Sequence, residues 1–436
     1  MRLAVVRQHY AAAGAAERPV EGALNALLER NVAISLYTRA WPQTRLNLIE
    51  PVLCDPFHVG ALWRDWGFAR GACAAIGQAR ADLVYSLERV LCCDVYHAAD
   101  GVHAARVEEL RRGTSVFGRA RLALAPYHRY ALGIERRLYA SPWLQKVICP
   151  SKLVRDEIHE RFGLPHAKLP VIYGAVDGDA YSPALRAQRE PVRVRLGIDP
   201  VASVFLLVTT DDGDAEAEVA FAALARIPAP AHLILATDAR RRDHARARAA
   251  AHGVGDRVTP VARQSDLRPY HGAADALIAP FLYDPAATTT LAAMACGLPA
   301  ITSTRSGAAE LVREHDGGLV CVARDAAGLA AQMRALLDPQ RRERLGANAR
   351  EAVAALTPDA TTLQFVLLFK DLLTASAQAH AAARSAADAK RAARRQAAAA
   401  RRLQPPSPDP GEPAAPGVSG EPAPEPSAAE PRGPRS

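Results

Sequence analysis

The sequence has no long apolar run: nowhere do about 18 apolar residues follow one another without a charge, the length a membrane-crossing helix needs. The opening Met1-Arg2-Leu3-Ala4-Val5-Val6 is too short for the apolar core of a secretory signal and meets Arg7 at once, so no such signal is expected. Cysteines number seven, at 54, 73, 92, 93, 149, 296 and 321, an odd count without Cys-x-x-Cys spacing. That pattern speaks against a zinc site or a disulfide framework and for buried thiols in a reducing compartment; the adjacent Cys92 and Cys93 read as packing. No recognised nucleic-acid-binding motif accompanies the basic residues. A cytoplasmic protein without a nucleic-acid partner is expected.

The 436 residues suffice for two domains and a tail, and 49% hydrophobic with 23% charged content suits a soluble globular chain. A formal net charge of +8 permits association with an anionic surface, although Arg and Ala richness also fits a high-GC coding bias. Residues 3–6 read as a buried strand, 20–29 as an amphipathic helix and 32–38 as a strand, the opening of a doubly wound α/β domain. The connecting loop holds small residues around Gly14. A helix over 63–80 and a strand over 82–86 lead to residues 92–103, where Asp94, His97, Asp100 and His103 make the densest ionisable cluster. Loop and cap polarity is one reading of that cluster; an acceptor site facing a cleft is the other.

Residues 278–299 hold the pattern around which the rest is arranged. A short apolar strand ends at Pro280-Phe281, a turn covers 283–285, residues 286–296 have helical composition, and Gly297-Leu298-Pro299 stops the helix. In open α/β sheets ligands bind beyond the carboxyl ends of the strands, so the 282–290 loop is the expected ligand position. Ala287 and Thr288 would place free N–H groups and a positive dipole end against an anion.

The run Pro280-x-x-x-Asp284, Met294-Ala295-Cys296-Gly297-Leu298-Pro299, Ser306-Gly307-Ala308-Ala309-Glu310 and Gly317-Gly318-Leu319-Val320 resembles the C-terminal half of family 4 retaining glycosyltransferases. The resemblance extends to Val147 through Ser151 with its cap on the following helix, to Gly174-Ala175-Val176-Asp177 with Tyr181-Ser182-Pro183, and to Leu267 through Asp275. It covers residues 1 to 372. Around Trp41 and residues 92–103 it is most similar to lipopolysaccharide-core glucosyltransferases. It implies an α/β GT-B fold: two doubly wound Rossmann-like domains facing a cleft, 1–175 on the acceptor side and 176–375 on the donor-nucleotide side, with the last helix returning to the first domain. Residues 376–436 form the tail, Ala/Arg rich and then disordered, with 11 of the 32 prolines after residue 403.

The resemblance further implies a nucleotide sugar, UDP-hexose in the first instance, as co-substrate, with no cofactor and no metal. Asp284 would face the donor sugar. Gly14, Ser306, Gly307, Glu310, Ala287 and Thr288 would line the donor site, while Asp100, His97 and His103 would hold the acceptor, a lipid-linked glycan. Two family features differ here: the second acid of the Glu-x7-Glu motif is Ala292, and the cationic pair that holds the diphosphate aligns with Asp214 and Ala215. Asp211, Asp212, Asp214, Glu216 and Glu218 would repel a diphosphate, one like-charge contact costing about 4 kcal/mol at 4 Å and an effective dielectric near 20. Their spacing lacks the terminal bidentate Glu of a calcium loop, so an exposed acidic loop is the simpler reading.

Residues 106–137 carry eight arginines against three acids, interleaved with Phe117, Leu122, Leu124, Tyr127, Tyr130 and Leu132. An anionic leaflet at the inner face of the cytoplasmic membrane would attract such a segment; a solvated helix face is the alternative. Two functions stay open: a glycosyltransferase acting with retention, or a degenerate homologue that binds glycans or supports assembly.

Overall fold

The computed structural model describes residues 1–9, 17–40, 49–79, 81–209, 214–263 and 266–403. Gly14, Trp41, Asp211 and Asp212 lie outside them. Among the described residues, twelve strands build two six-stranded parallel sheets. The first contains β1 (Arg2–Val6), β2 (Ala33–Thr38), β3 (Glu50–Leu53), β4 (Leu83–Ser86), β5 (Val95–His97) and β6 (Lys146–Ile148) in the order β3-β2-β1-β4-β5-β6. The second contains β7 (Ser203–Val208), β8 (Ala231–Thr237), β9 (Val258–Ala262), β10 (Ala276–Ala279), β11 (Ala300–Ser303) and β12 (Gly318–Cys321). Its order, β12-β11-β10-β7-β8-β9, is the same winding seen from the other edge. Both are doubly wound sheets with a switch point between their first and fourth strands.

Parallel strands covered on both faces need unbroken apolar runs, and β4 and β8 are buried at every position. The first sheet accordingly has two cores. One face packs Val20, Leu24 and Leu27 of the helix Glu17–Leu28, and the other packs Phe68 and Ala72 with Leu138 and Tyr139. The final helix, Pro358–Leu403, comes back to the first domain, burying Phe365, Phe369 and Leu373 there, with the Phe369 ring 5.0 Å from Tyr85. By length and composition the stretch Pro339–Gln378 could cross a membrane, but these phenylalanines are spent on the core. Residues Met1–Gln378 form one compact unit.

The second domain is fastened at its base by Asp275. Its buried carboxylate accepts from Arg193 at 2.7 Å, Arg189 at 2.6 Å and the Val204 N–H at 2.8 Å, so the charge is compensated three times over.

Three expectations need correction. Cys73 and Cys92 form a disulfide, joining the helix Gly60–Ala79 to the segment after β4, where unpaired thiols were expected. Cys93 is the buried packing residue of the adjacent pair. Residues 92–103 are not one loop: β5 runs through them. Asp94 therefore sits at the entry of β5, accepting the Val84 N–H at 2.8 Å and the Gln145 amide at 3.2 Å, while His97 sits at its exit. Finally, Asp214 and Ala215 are not in a loop but open the helix Asp214–Leu224.

Candidate functional site

The chain leaves β10 at Pro280 and turns through Tyr283 and Asp284 into the helix Thr288–Ala295. The Asp284 N–H donates to the Arg305 carbonyl at 3.0 Å, and the Gly307 N–H donates to the Asp284 carbonyl at 2.8 Å, which prolongs the β10–β11 pairing beyond the sheet. The Asp284 carboxylate accepts the Ala287 N–H at 3.1 Å. Burial pushes its carboxyl up to about 6, against the opposing pull of that N–H. Ala287 is left-handed (φ 48°, ψ 34°), so the helix starts abruptly, with no side chain capping its first N–H groups. Thr288 and its neighbours thus present uncapped donors and a positive dipole end.

Around this loop the two domains are clasped. Tyr283 reaches into the first domain, where its hydroxyl donates to Glu157 at 2.6 Å and accepts the Val102 N–H at 2.8 Å. Gly101 makes room for it: its φ is +69°, and an added Cβ would lie 2.3 Å from the Tyr283 hydroxyl. Arg305 pairs with Glu157 and, at 3.1 Å, with Glu109. The Ser151 hydroxyl donates to the Pro285 carbonyl at 2.9 Å. Glu310 accepts the Lys152 N–H at 2.7 Å, the Leu153 N–H at 3.0 Å and the Tyr173 hydroxyl at 2.5 Å. It therefore caps the helix Lys152–Phe162 from the opposite domain.

Of the residues expected to line the donor site, Glu310 thus holds the domains together in this arrangement. Gly307 does so as well, since a Cβ on it would meet the Pro285 carbonyl at 2.1 Å and Ser151 at 2.8 Å. The buried Ser306 hydroxyl accepts the Ala308 N–H at 3.3 Å, closing its own turn. Gly14 lies outside the described residues. Arg305, whose carbonyl accepts the Asp284 N–H, has its guanidinium engaged by two carboxylates.

On the first domain, His97 ends β5 with Nδ1 2.8 Å from the Tyr85 hydroxyl. Burial, aided by the charge of Arg7, pushes its ring down to about 4, so it is neutral at neutral pH. A cavity of about 30 Å3 brings His97 and Thr288 together with Ala286, Tyr173, Gly174 and Phe365. No charged side chain is among its described lining residues. Asp100 is exposed in the turn after β5. His103 is elsewhere, opening the helix His103–Arg112. Its ring lies 3.1 Å from His128, and burial, with Arg89 and His128 adding, pushes it down to about 3. Glu135 accepts the His103 and Ala104 N–H groups at 2.7 and 3.0 Å. Packing within the domain accounts for this histidine's contacts.

Two carboxylates in the described part of the acidic segment pair with neighbouring cations. Asp214 pairs with Arg241 at 2.9 Å, and Glu218 pairs with Arg248 at 2.6 Å and His252 at 2.8 Å. The Arg248 bond, with His252 behind it, pulls Glu218 down to about 2. Among the described residues no group of three His, Cys, Asp or Glu is placed to hold a metal ion.

The model of glycosyltransferase family 4 matches residues 16–180, and the model of glycosyl transferases group 1 matches residues 189–352. Glycogen synthase from Mycobacterium tuberculosis (strain CDC 1551 / Oshkosh) is 30% identical over 259 residues, 58% of either chain. D-inositol 3-phosphate glycosyltransferase from Geodermatophilus obscurus is 29% identical over 241 residues, 52% of either chain. The matched stretch thus spans only a little over half the length of these curated relatives. The crystal structure of WaaG, a glycosyltransferase involved in lipopolysaccharide biosynthesis, superposes with a TM-score of 0.69 at 19% identity, covering 83% of this chain and 98% of that one. HepE from Anabaena in complex with UDP and glucose superposes with a TM-score of 0.61 at 19% identity, covering 85% of this chain and 100% of that one. With one family model on each domain and two Rossmann-like sheets of matching order, the chain belongs to the family 4 glycosyltransferases and has the GT-B fold.

Proposed function

We propose that the chain transfers a hexose from a nucleotide sugar, UDP-hexose in the first instance, to a lipopolysaccharide-core or related lipid-linked glycan, with retention, at the inner face of the cytoplasmic membrane. The observation that carries this reading is the meeting of the uncapped Thr288–Ala295 helix start, the Asp284 loop and the exit of β5 at one interdomain cavity. Helix N–H groups and dipole receive the diphosphate in place of side-chain cations. Asp284 faces the sugar, and Asp100 with His97 faces the acceptor. Neutral His97 offers a hydrogen bond without placing a second positive charge beside the reacting centre. Domain closure around the cleft excludes water from the donor. HepE was solved with UDP and glucose on the same fold, which supports a UDP-sugar donor.

Membrane attachment rests on the helix Val116–Leu124, which has no buried residue. Val116, Phe117 and Leu124 are 77%, 89% and 71% exposed, amid exposed Arg112, Arg119, Arg121 and Arg129. An apolar ridge ringed by arginines suits an anionic leaflet, each basic residue adding about 1 kcal/mol near the surface.

The test is turnover: release of UDP from UDP-glucose by the full chain on vesicles carrying core glycolipid, with the product's anomeric configuration read by NMR. Vesicle-dependent release with an α-linked product is expected. A second reading, a degenerate homologue that binds glycans, is favoured by the uncharged cavity wall and by the engagement of Arg305. Binding of core glycan without any UDP release would establish it instead.

A further inference from the structure

Cys73 lies in the helix Gly60–Ala79, and Cys92 lies 19 positions further on, in the connection from β4 to β5. The ring they close holds the whole of β4. That strand needs no staple: it is buried at every position and pairs with β1 on one side and β5 on the other. The helix is held differently. Of its 20 residues only Gly67, Phe68, Ala72 and Ile76 are buried, while Trp63 and Trp66 are 46% and 44% exposed. Few buried contacts mark a segment that opens at low free energy, so the disulfide is the main tie on the C-terminal half of this helix. Polar bonds hold the other half. Asp65 accepts the Gln8 side-chain amide at 3.2 Å and the Tyr127 hydroxyl at 3.3 Å. Gln8 is bonded in turn to Glu88, through its backbone N–H at 3.0 Å and its side-chain amide at 3.3 Å, and Glu88 stands four residues before Cys92 on the same connection. A polar cavity of about 40 Å3 lies where these groups meet, with Asp65 and Glu88 in its wall. Helix and connection are thus joined covalently through Cys73 and Cys92 and by hydrogen bonds through Gln8.

The other five cysteines take no part in thiol chemistry. All are buried, and burial pushes each thiol up, Cys321 to about 11 and Cys149 and Cys296 to about 12, so almost no thiolate forms on them at neutral pH. Cys93, next to the bond in sequence, turns its Sγ to the Val90 carbonyl at 3.2 Å. Cys73 and Cys92 are half-buried at the edge of the core, within reach of an external thiol. Thiol chemistry is confined to this pair.

We propose that the Cys73–Cys92 bond is a redox switch: closed, it holds the helix Gly60–Ala79 against the connection after β4, and opened by a dithiol reductant it frees the helix and loosens the cavity wall formed by Asp65, Gln8 and Glu88. A reductant thiolate attacks one sulfur of the bond and expels the other as a thiolate; the reductant's second thiolate then displaces the first sulfur. The chain's S–S bond is broken and the reductant's is formed. Two electrons pass to the chain, and its two thiolates take up the two protons that the reductant gives up. The opened thiols stay packed at the edge of the core as small apolar groups, so the domain keeps its fold. The switch stands independently of the transferase reading.

The experiment uses the full chain in dithiothreitol redox buffers, from fully oxidised to fully reduced, without denaturant. Iodoacetamide labelling after rapid removal of the buffer, read by mass spectrometry, locates the open thiols, and amide hydrogen exchange follows the helix. Labels at Cys73 and Cys92 are expected in the reduced chain and none in the oxidised one, with exchange over residues 66–79 about tenfold faster after reduction. Exchange over residues 60–68, around Asp65, rises as well, the β4 amides stay protected, and reoxidation restores the helix. Cys92→Ser, which cannot close the bond, exchanges like the reduced chain in either buffer; Cys73→Ser does the same and serves where Cys92→Ser fails to melt cooperatively. A bond that resists reduction, a pair that stays open in oxidising buffer, a helix that exchanges equally in both states, or exchange that rises in β4 together with the helix overturns the proposal.

Discussion

The two sheets share one strand order, yet their carboxyl ends have opposite characters. At the first, β1, β4 and β5 lead into Gln8, Glu88 and Asp100, a polar mouth whose hydrogen-bonding capacity is partly unused. At the second, the loops after β10 and β11 are bonded to each other through Asp284 and Ser306 and clasped to the first domain by Tyr283 and Glu310. One winding therefore supports a polar mouth within one domain on one side and a preset set of loops clasped across the domains on the other. Fold alone does not assign chemistry; the loops beyond the strands do.

The largest expected effect comes from breaking the preset side at its acid. Asp284→Asn keeps an oxygen for the Ala287 N–H but removes the charge proposed to face the donor, and transfer should fall by about 10^2 to 10^3 in kcat. The same variant has a pH signature. The folded state holds the Asp284 proton up to about 6, whereas the ordinary value is 3.8. The group's stabilising contribution is therefore complete below 3.8 and is lost as the pH rises through about 6. Urea unfolding of the wild type should lose stability relative to Asp284→Asn across that window; parallel pH profiles would show that the carboxyl is not held there.

Glu310→Ala tests the clasp. It leaves two helix N–H groups and the Tyr173 hydroxyl without their acceptor, and should cost about 2–3 kcal/mol in denaturant unfolding. A loss below about 0.5 kcal/mol, the range of an ordinary surface substitution, would mean that the domains do not rely on it.

The smallest effect has the opposite sign. Ala287 bears a side chain in the left-handed region, which costs about 1–2 kcal/mol, and Ala287→Gly relieves this against the entropy that glycine adds to the unfolded chain. A net gain of about 0.5 kcal/mol is expected, and a net loss would contradict the strain.

Much of this was legible in the sequence because buried parallel strands are written as apolar runs: β1, β2, β4, β7 and β10 stand out in this way, as does the loop after β10. β3 and β5 did not. They are four and three residues long, and β5 is flanked by Cys-Cys-Asp and Ala-Ala-Asp, so its pattern looks like a polar loop. That error placed Asp94 and His97 in one cluster, although a strand separates an entry residue from an exit residue. The clasp was invisible for a different reason. Tyr283 meets Glu157 across 126 positions and Arg305 meets it across 148, and no local spacing encodes such a meeting. Cys73–Cys92 is similar: a half-turn's rotation of the helix would separate the sulfurs, and composition is silent on rotation. The roles of Glu310 and Gly307 were hardest to read, because a conformation that brings domains together uses the same small and acidic residues as one that binds a sugar.

A helix start without cationic side chains is proposed to receive a nucleotide diphosphate. Calorimetric titration of the full chain with UDP-glucose tests it most directly, with Thr288→Asp as the control that sets a carboxylate at that helix start. One site of micromolar affinity is expected, weakened about 10^3-fold by Thr288→Asp, the cost of one like-charge contact. No heat at millimolar UDP-glucose from a cooperatively melting protein, or equal affinity in the variant, would contradict it.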